Sequence, residues 1–321
     1  MNYIELINLK GKGLLVFSDP GAAKAVLSLA HYLKLNNQSF IIVSDRYYDF
    51  FDMFDVDVLL VTENAESILC KYKPDFVFTG TSYTSNIEKD FISASKGMNI
   101  HSFSFVDHWT SIIERFKLNN NFVFPDQILL IDETGKKIAV ESGINDSILV
   151  VFGNPYYDFL KKWKPKLTKN ELFKLLNLDV NHHKIIIYAP DPLSNVNGLD
   201  VFGFDEINLT QQIDDLLNEL NLPINFILKL HPNQEIKKLL PYTSSKIIIA
   251  DKSVDSNSLI YYSDSVWGFF SNFLIEAQIM NKPIIRVLSN NIINDPFRDK
   301  EIGEIVYLNQ LKSYLIETYG K

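Results

Sequence analysis

Residues 14–21 have the sequence LLVFSDPG, in which four apolar residues are followed by a turn containing Pro20 and Gly21. A helical pattern then continues to Leu33, and a second apolar run occupies residues 40–43. Continuous apolar runs are typical of strands buried on both faces of a parallel sheet. This stretch therefore predicts a strand, a covering helix and a second, parallel strand.

The same alternation recurs along the whole chain, which predicts two doubly wound sheets. Further strands are expected at residues 58–61, 76–78, 101–106, 127–131 and 147–152, and then at 184–188, 225–230, 246–249, 265–267 and 283–287. Helices are expected at residues 47–54, 65–72, 87–96, 209–220 and 272–280.

A chain of 321 residues is long enough for two domains. The break is predicted after the Gly153-Asn154-Pro155 sequence, where a basic segment interrupted by Pro165 follows. We predict an N-terminal, acceptor-binding Rossmann-like domain at 1–155, a linker at 156–168 and a C-terminal, nucleotide-binding Rossmann-like domain at 169–321. The last helix is left free to pack on either domain.

Composition excludes several classes of function. The net charge of −8 disfavours nucleic acid as a partner. The one cysteine, Cys70, excludes an intrachain disulfide and lies in an apolar-periodic stretch, where we expect it to be buried. The N-terminus lacks the apolar core of a signal peptide, and no apolar run is long enough for a transmembrane helix. We expect a cytoplasmic protein, with peripheral membrane contact left open.

The first candidate site follows the predicted strand at 225–230, where His231, Pro232 and Asn233 stand at its carboxyl end. Ligands of doubly wound sheets bind at that edge. Pro232 restricts the backbone of His231 to extended conformations. The imidazole is thereby placed to donate to a phosphate and to stabilise a nucleotide leaving group. The alternative is a histidine that only ends a strand.

The second candidate is the predicted helix start at Ser271 and Asn272. Ser271 is a suitable N-cap, and the amide groups of a helix start attract phosphate. Glu276 lies about one turn further on, where it can reach a ribose. The alternative is ordinary capping with a solvated Glu276.

The third candidate is the pair Asp107 and His108, which follows the predicted strand at 101–106. Either side chain can act as a general base that takes a proton from a substrate hydroxyl. The two cannot point the same way if the segment is extended. The alternative is a polar turn in which Asp107 caps a helix beginning near Trp109.

Two loops carry weaker signals. Ser18, Asp19 and Gly21 follow the first strand and are assigned to the acceptor side, and Asp191 is a donor contact or a turn residue. Asp55 and Asp57 form a DxD sequence, but they precede a strand, on the edge away from the expected ligands. We therefore predict no metal and no other cofactor, the nucleotide-sugar being a substrate.

His231 with Pro232, the Ser271-Asn272 helix start and Glu276 together resemble the C-terminal site of bacterial GT-B sialyltransferases and polysialyltransferases, and of CDP-glycerol glycerophosphotransferases. Asp107 and His108 stand where those enzymes have a catalytic histidine, and the Gly-Asn-Pro sequence at 153–155 resembles the entry to their interdomain linker. The resemblance implies the GT-B architecture, with two Rossmann-like domains facing a central cleft. It also implies a metal-independent, inverting glycosyltransferase of surface polysaccharide or glycoconjugate synthesis. CMP in the donor and a saccharide or glycolipid acceptor follow from the same resemblance.

Departures from these families leave alternatives open. Ser271-Asn272 replaces a Ser/Thr pair, and the acidic motif of sialyltransferases is not evident. The chain could instead be a CDP-glycerol or polyol-phosphate transferase, or a non-catalytic protein that binds sugar nucleotides. A UDP-N-acetylglucosamine 2-epimerase is a further alternative. It is disfavoured because residues 270–277 lack that family's glycine-rich helix start with paired glutamates.

Overall fold

A computed structural model describes residues 3–178, 183–231, 234–251, 253–298 and 300–320. These residues form two compact units, one ending at Phe159 and the other beginning at Leu160. Each unit is built on its own parallel sheet. In the described part of the chain, no helix is both long and apolar enough to cross a membrane.

The sheet of the first unit has seven parallel strands in the order β3-β2-β1-β4-β5-β8-β9. A two-stranded hairpin, β6–β7, lies outside it. Each strand of the main sheet coincides with a predicted apolar run, and β1, β4, β5 and β8 are largely buried, whereas both residues of the edge strand β3 are exposed. The strands are β1 Gly13–Phe17, β2 Phe40–Ser44, β3 Leu59–Leu60, β4 Phe76–Thr79, β5 His101–Val106, β6 Lys117–Leu118, β7 Asn121–Phe122, β8 Gln127–Leu130 and β9 Leu149–Val151.

The predicted helices at residues 20–33, 65–72 and 87–96 form in the first unit, whereas the helices at Tyr3–Leu6, Glu133–Glu141 and Pro155–Leu160 were not predicted. The segment expected as a helix at 47–54 forms a 3₁₀ helix at Asp49–Met53. Cys70 is exposed, contrary to expectation, because α3 turns Ile68 and Leu69 toward the core instead. The helices are α1 Tyr3–Leu6, α2 Pro20–Leu35, α3 Ala65–Tyr72, α4 Ile87–Gly97, α5 Glu133–Glu141 and α6 Pro155–Leu160, with further 3₁₀ turns at Glu114–Phe116 and Asp146–Ile148.

The sheet of the second unit has six parallel strands in the order β12-β11-β10-β13-β14-β15. Five of them were expected. The sixth, β15, was missed because it is an edge strand with one buried residue, Val306, and so carries little apolar signal. The strands are β10 Lys184–Ala189, β11 Ile224–Lys229, β12 Ile247–Ala250, β13 Ser265–Gly268, β14 Ile284–Leu288 and β15 Glu304–Tyr307.

The last helix, α13, belongs to the core of the second unit. Its Leu311 and Leu315 are fully buried there, and Tyr314 packs against Trp267 with ring centroids 5.9 Å apart. The helices of this unit are α7 Lys169–Lys174, α8 Gly198–Phe202, α9 Glu206–Leu220, α10 Ile236–Leu239, α11 Ser256–Tyr262, α12 Asn272–Ile279 and α13 Leu311–Tyr319, with 3₁₀ turns at Leu193–Val196, Leu240–Tyr242 and Leu308–Gln310.

The segment between α6 and α7 packs on α11. Lys164 Nζ donates to the hydroxyl of Tyr261 at 3.0 Å, and the hydroxyl of Tyr262 donates to the carbonyl of Leu167 at 2.8 Å. Most of the segment predicted as a linker, 156–168, is therefore held by contacts within the second unit.

The strand order reverses once in each sheet. In the first unit the chain places β2 on one side of β1 and β4 on the other, and in the second it places β11 and β13 on either side of β10. Ligands of doubly wound sheets bind where this reversal separates the loops at the carboxyl ends. The pairs β1/β4 and β10/β13 thus mark the switch point of each unit.

At the second switch point, the strands approach closely because β13 ends in glycine. A Cβ atom on Gly268 would lie 2.8 Å from the carbonyl oxygen of Ala189 and 3.2 Å from Leu274 Cδ2. We expect Gly268→Ala to lower the free energy of unfolding by about 1–3 kcal/mol, since backbone has to move to admit the methyl group.

Urea denaturation would measure this change, with Gly97→Ala as the control. Gly97 lies in α4, and a Cβ atom there would meet nothing within 4 Å. The control is expected to be neutral or to gain up to about 1 kcal/mol from helix propensity. Equal free energies of unfolding for Gly268→Ala and Gly97→Ala would show that close packing at Gly268 does not exclude a methyl group.

Candidate functional site

The loop between β13 and α12 is held by two side chains at one peptide group. The amide of Phe270 donates to Asp191 Oδ2 at 3.0 Å, and Arg286 Nε donates to the carbonyl oxygen of Phe269 at 2.9 Å. These amide and carbonyl groups belong to the peptide bond that joins Phe269 to Phe270. In a trans peptide they point in opposite directions. A carboxylate and a guanidinium thus hold the two ends of one peptide plane, and we call this arrangement the peptide clamp.

Arg286 is itself held firmly. It is 1% exposed, it forms an ion pair with Asp295, and its guanidinium lies over the rings of Phe270 and Phe297 at 5.9 and 5.4 Å. Such planar packing with directed donors is a property of arginine that lysine does not share. An arginine within a strand carries no recognisable motif, so sequence reasoning missed it.

Asp191 lies at the end of β10 in a setting that disfavours its charge. Burial raises the pKa of the Asp191 carboxyl to about 6, and the negative charge of Glu206 acts in the same direction. The hydrogen bond from Phe270 and the positive charge of Arg286 oppose this rise. Asp191 was predicted as a donor contact or a turn residue. The structure shows it fixing the loop that leads into α12.

Ser271 is the N-cap of α12, as the sequence predicts. Its side chain makes no capping bond, and its Oγ is buried without a hydrogen-bond partner in the described structure. Asn272, the first helical residue, is exposed. Glu276 is 6% exposed, so the solvated alternative for this residue is wrong.

His231 is partly buried and follows β11, one residue beyond Leu230. Its amide donates to Gln234 Oε1 at 3.3 Å, and its carbonyl accepts from the amide of Gln234 at 2.9 Å. Gln234 is 3% exposed, and its Nε2 has no partner in the described structure. A cavity of about 660 Å³ opens beside it, lined by Leu230, Gln234, Glu235, Ile236, Lys237, Asp251 and Ser253. Pro232 and Asn233 lie outside the described residues.

The three candidate positions follow adjacent strands. His231 follows β11, Asp191 follows β10, and Ser271 follows β13. Neighbouring strands lie about 4.8 Å apart, so these residues occupy roughly 10 Å of one sheet edge. Sequence reasoning proposed all three, and the structure brings them to one edge of the second sheet.

The first switch point is built around Glu88, a residue that sequence reasoning missed. The amide of Ser18 donates to Glu88 Oε1 at 2.9 Å, and the hydroxyl of Ser82 donates to the same oxygen. Ser82 Oγ also accepts from the amide of Asp19 at 2.8 Å. Glu88 stands in the first turn of α4, where an acid is an ordinary feature of a helix start, so only its tertiary contacts reveal it.

Glu88 is 2% exposed, and burial raises the pKa of its carboxyl to about 7. Hydrogen bonds from Ser82 and Ser18 limit the rise, and the charge of Asp19 adds to it. Glu88 Oε2 and Ser18 Oγ are both buried without a partner in the described structure. Ser18 is 0% exposed, so its hydroxyl is not presented to an acceptor at the surface.

Asp19 ties the β1 loop to the β4 loop. Its carboxylate accepts from the amide of Tyr83 at 2.8 Å, from the hydroxyl of Thr84 at 2.5 Å and from Arg46 at 3.3 Å. Its side chain is 21% exposed. Unlike the buried Ser18, Asp19 is therefore within reach of a ligand.

Asp107 and His108 point to different partners. Asp107 Oδ1 forms an ion pair with Arg115 at 2.7 Å, whereas His108 Nδ1 lies 2.9 Å from Thr110 Oγ1. Gly21 permits the approach of Asp107, because a Cβ atom there would lie 2.0 Å from its Oδ2. The Asp107 carboxylate consequently sits at the N-terminus of α2, where the helix dipole stabilises negative charge.

The helix near Trp109, which Asp107 would cap in the alternative interpretation of this loop, does not form, so that alternative is wrong. Asp107 is engaged with Arg115 instead of capping a helix. The indole of Trp109 donates to Asp132 at 2.8 Å, and Ser111 adopts a left-handed conformation with φ of 51°. A single left-handed residue breaks a right-handed helix, so only the short 3₁₀ turn at Glu114–Phe116 follows.

Within the described ranges, no group of three or more His, Cys, Asp or Glu side chains is placed to hold a metal ion. Asp55 of the discounted DxD sequence pairs with Lys34 at 2.8 Å. The absence of a metal requirement stays a prediction.

Comparison with known proteins identifies the fold. A family model described as "Protein of unknown function (DUF354)" matches residues 156–301, and no curated protein matches the chain. Similar solved structures include a UDP-GlcNAc 2-epimerase from Methanocaldococcus jannaschii (15% identity, 95% of this chain and 92% of that chain, TM-score 0.67). A glycosyltransferase from Rickettsia africae is also similar (18% identity, 96% and 88%, TM-score 0.59). A third is an Anabaena protein in complex with UDP-glucose (14% identity, 95% and 89%, TM-score 0.62).

Identities this low establish the fold alone. The chain has a two-domain, Rossmann-like α/β fold whose structural neighbours are GT-B-like glycosyltransferases and 2-epimerases. The finer resemblance to sialyltransferases and CDP-glycerol transferases stays a prediction.

Glu88 provides a test of the first switch point. Because its pKa is raised on folding, its contribution to stability is present at low pH and is lost as the pH rises through about 7. Glu88→Gln keeps the shape of the side chain and stays neutral. We expect the free energy of unfolding of this variant, relative to the parent, to increase by about 2–3 kcal/mol between pH 5 and pH 8.5.

Urea denaturation at the two pH values would measure this increase. Glu66→Gln, an exposed position on α3, is the control and should show little dependence on pH. A constant difference between Glu88→Gln and the parent across this range would show that Glu88 does not titrate there.

Proposed function

We propose that the chain is an enzyme that binds a nucleotide-activated sugar in its second unit and transfers that sugar to a saccharide or glycolipid acceptor. Such a metal-independent glycosyltransferase would serve the synthesis of surface polysaccharide or glycoconjugate. The peptide clamp is the observation that supports this most strongly, because it fixes a helix start at the switch point, where doubly wound folds bind nucleotides.

The start of α12 suits a phosphate group. Amides in the first turn of a helix have no partner within the helix and carry partial positive charge. The buried hydroxyl of Ser271 has a hydrogen bond to offer, and the exposed Asn272 adds an amide side chain. Because the clamp holds this segment before any ligand arrives, binding requires little reorganisation. His231 follows β11, which lies two strands away from β13. It is suited to donate to the other side of the same phosphate.

The cavity beside His231 suits a nucleobase. Leu230 and Ile236 supply apolar walls, and Gln234 supplies an amide group with a donor to offer. Sequence resemblance favours a cytidine nucleotide, whereas the similar Anabaena protein was solved with UDP-glucose. Both nucleotides therefore belong in the same test. Glu276 remains the proposed contact for the ribose.

The acceptor is assigned to the first unit, with His108 as the base. The Asp107 carboxylate is already paired with Arg115 and lies at the start of α2, so it is engaged within the first unit. Histidine titrates near neutral pH, and the bond between His108 Nδ1 and Thr110 orients the ring. Direct displacement with inversion needs one such base.

Epimerisation is the second candidate function. The UDP-GlcNAc 2-epimerase of Methanocaldococcus jannaschii matches 95% of this chain, so the fold favours epimerase and transferase equally. Incubation with UDP-GlcNAc and no acceptor distinguishes them. An epimerase converts this substrate to its 2-epimer, whereas a transferase needs an acceptor. Binding without turnover under either condition would indicate a non-catalytic protein.

Donor binding can be tested by thermal shift with CMP, CDP, UDP, GDP and TDP. A ligand that binds only the folded state raises the melting temperature. We expect a cytidine or uridine nucleotide to stabilise the parent and His231→Ala to lose most of that stabilisation. Turnover in this variant should fall by about 10²–10³, as for other lost oxyanion donors.

His183→Ala, at an exposed histidine of the same unit, is the control and should respond as the parent does. A normal nucleotide response in His231→Ala would remove His231 from the site. No response of the parent to any of the five nucleotides would count against the proposed function itself.

The base can be tested separately from donor binding. We expect His108→Ala to retain nucleotide binding and to lose about 10²–10⁴ in transfer rate, because the acceptor hydroxyl then has no proton acceptor. Asp107→Asn should act more weakly on transfer and should lower stability, since it leaves Arg115 without its charged partner.

His101→Ala is the matched control, because His101 is exposed at the opposite end of the same strand. Transfer should also persist in EDTA. Parental rates in both Asp107→Asn and His108→Ala would exclude this loop as the source of the base, and Asp19 would be the next candidate.

A further inference from the structure

We propose that the second unit binds its nucleotide together with a proton, and that Asp191 is the group that takes up this proton. The inference rests on the proposed function, since it concerns the same nucleotide site. It assigns Asp191 a role different from that of an ordinary donor contact.

The position of Asp191 creates a conflict with phosphate. Its Oδ2 accepts from the amide of Phe270, which immediately precedes the N-cap Ser271. The carboxylate thus lies within two residues of the helix start at which the phosphate is proposed to bind. Two negative groups so close together disfavour each other's ionised form, so bound phosphate favours the neutral acid.

The other charged groups around Asp191 leave it as the site of protonation. Arg286 on β14 is already paired with Asp295, so little of its charge remains to neutralise a second anion. Glu206 on α9 accepts from the amide and hydroxyl of Ser194 at 2.8 and 2.6 Å, so both of its carboxylate oxygens already have a donor. Asp205 caps α9 through the amide of Asn208. Among the described residues, the Asp191 carboxylate accepts one hydrogen bond against two for Glu206, and unlike Asp205 it holds the loop at which the phosphate is proposed to bind.

Two further titratable groups face this region. Tyr188 on β10 is fully buried, and burial raises its pKa far above neutrality, so it stays protonated throughout. His231, which follows β11, is the other, and its protonation would also favour a phosphate. The test therefore has to separate His231 from Asp191.

Protonation of Asp191 leaves the peptide clamp intact. A neutral carboxyl group keeps one carbonyl oxygen, which continues to accept from Phe270, while the proton resides on the other oxygen and can be donated. The proton comes from solvent, and no bond to carbon or phosphorus is made or broken. Since the pKa of Asp191 is already about 6 without ligand, a modest further rise is enough to bring a proton in near pH 7.

Isothermal titration calorimetry with UDP-glucose, and with CMP-N-acetylneuraminate as a second probe, tests the coupling. The phosphates of these diesters do not titrate near neutral pH, so any proton taken up belongs to the protein. Measurement at pH 7 in two buffers of different ionisation enthalpy gives the number of protons bound. We expect a substantial fraction of one proton per nucleotide, and a Kd that rises with pH by up to about tenfold per unit above pH 6.

Asp191→Asn provides the decisive variant, because asparagine keeps an oxygen for the amide of Phe270 and carries no charge. It should take up no proton beyond any due to His231, and it should bind at least threefold more tightly than the parent at pH 8. A purely structural role would instead weaken binding at every pH. At a nucleotide concentration that saturates its weakened site, His231→Ala should still take up the proton. Asp200→Asn, at an exposed acid on α8, should match the parent.

Different outcomes would contradict proton uptake by Asp191 and nucleotide binding by the second unit. Nucleotide binding without proton uptake, or uptake that persists in Asp191→Asn and disappears in His231→Ala, would overturn this inference and leave the proposed function standing. Failure of both nucleotide sugars to bind the parent at any pH would overturn the proposed function and this inference with it.

Discussion

The peptide bond between Phe269 and Phe270 carries a guanidinium at its carbonyl end and a carboxylate at its amide end. This clamp determines where α12 begins, because the N-cap Ser271 follows directly. Burying such charges is costly, and removing one member of a buried pair typically costs about 3–5 kcal/mol. The fold keeps them nevertheless, which is reasonable if the geometry of this loop matters more than the stability lost in holding it.

The two units meet the same constraint with different residues. At each switch point the loops after two neighbouring strands diverge, and their amides need acceptors. Asp191 accepts from Phe270 in one unit, and Glu88 accepts from Ser18 and Ser82 in the other. In both cases burial is the largest cause of a raised pKa. At these two positions, burial of the carboxyl group that holds the loop raises its pKa to about 6 and about 7 respectively.

The sheets were predictable from sequence because most of their strands are buried on both faces, so that a run such as residues 185–188 is continuous in apolar residues. β15 was not, since an edge strand with one buried residue lacks that signal. His231 and Ser271 were predicted from local sequence patterns. His231 is followed by a proline at the end of a strand, and Ser271 is a small polar residue at the start of a helix. Glu88 and Arg286 were missed because their importance arises from partners far away in the chain, at Ser18 and Asp295 respectively.

The fold limits the chemistry without choosing it, since epimerases and transferases share this architecture. What distinguishes this chain is the kind of group at each loop. Asp107 forms an ion pair with Arg115 and lies at the start of α2. Its negative charge is therefore balanced by groups of the first unit. Asp191 gains a hydrogen bond but shares its cation with Asp295. The negative charge of Asp191 is therefore less well balanced than that of Asp107. Asp191 also lies beside a helix start that attracts anions. A ligand that brings further negative charge to that helix start has to change the ionisation of Asp191 or bind against it.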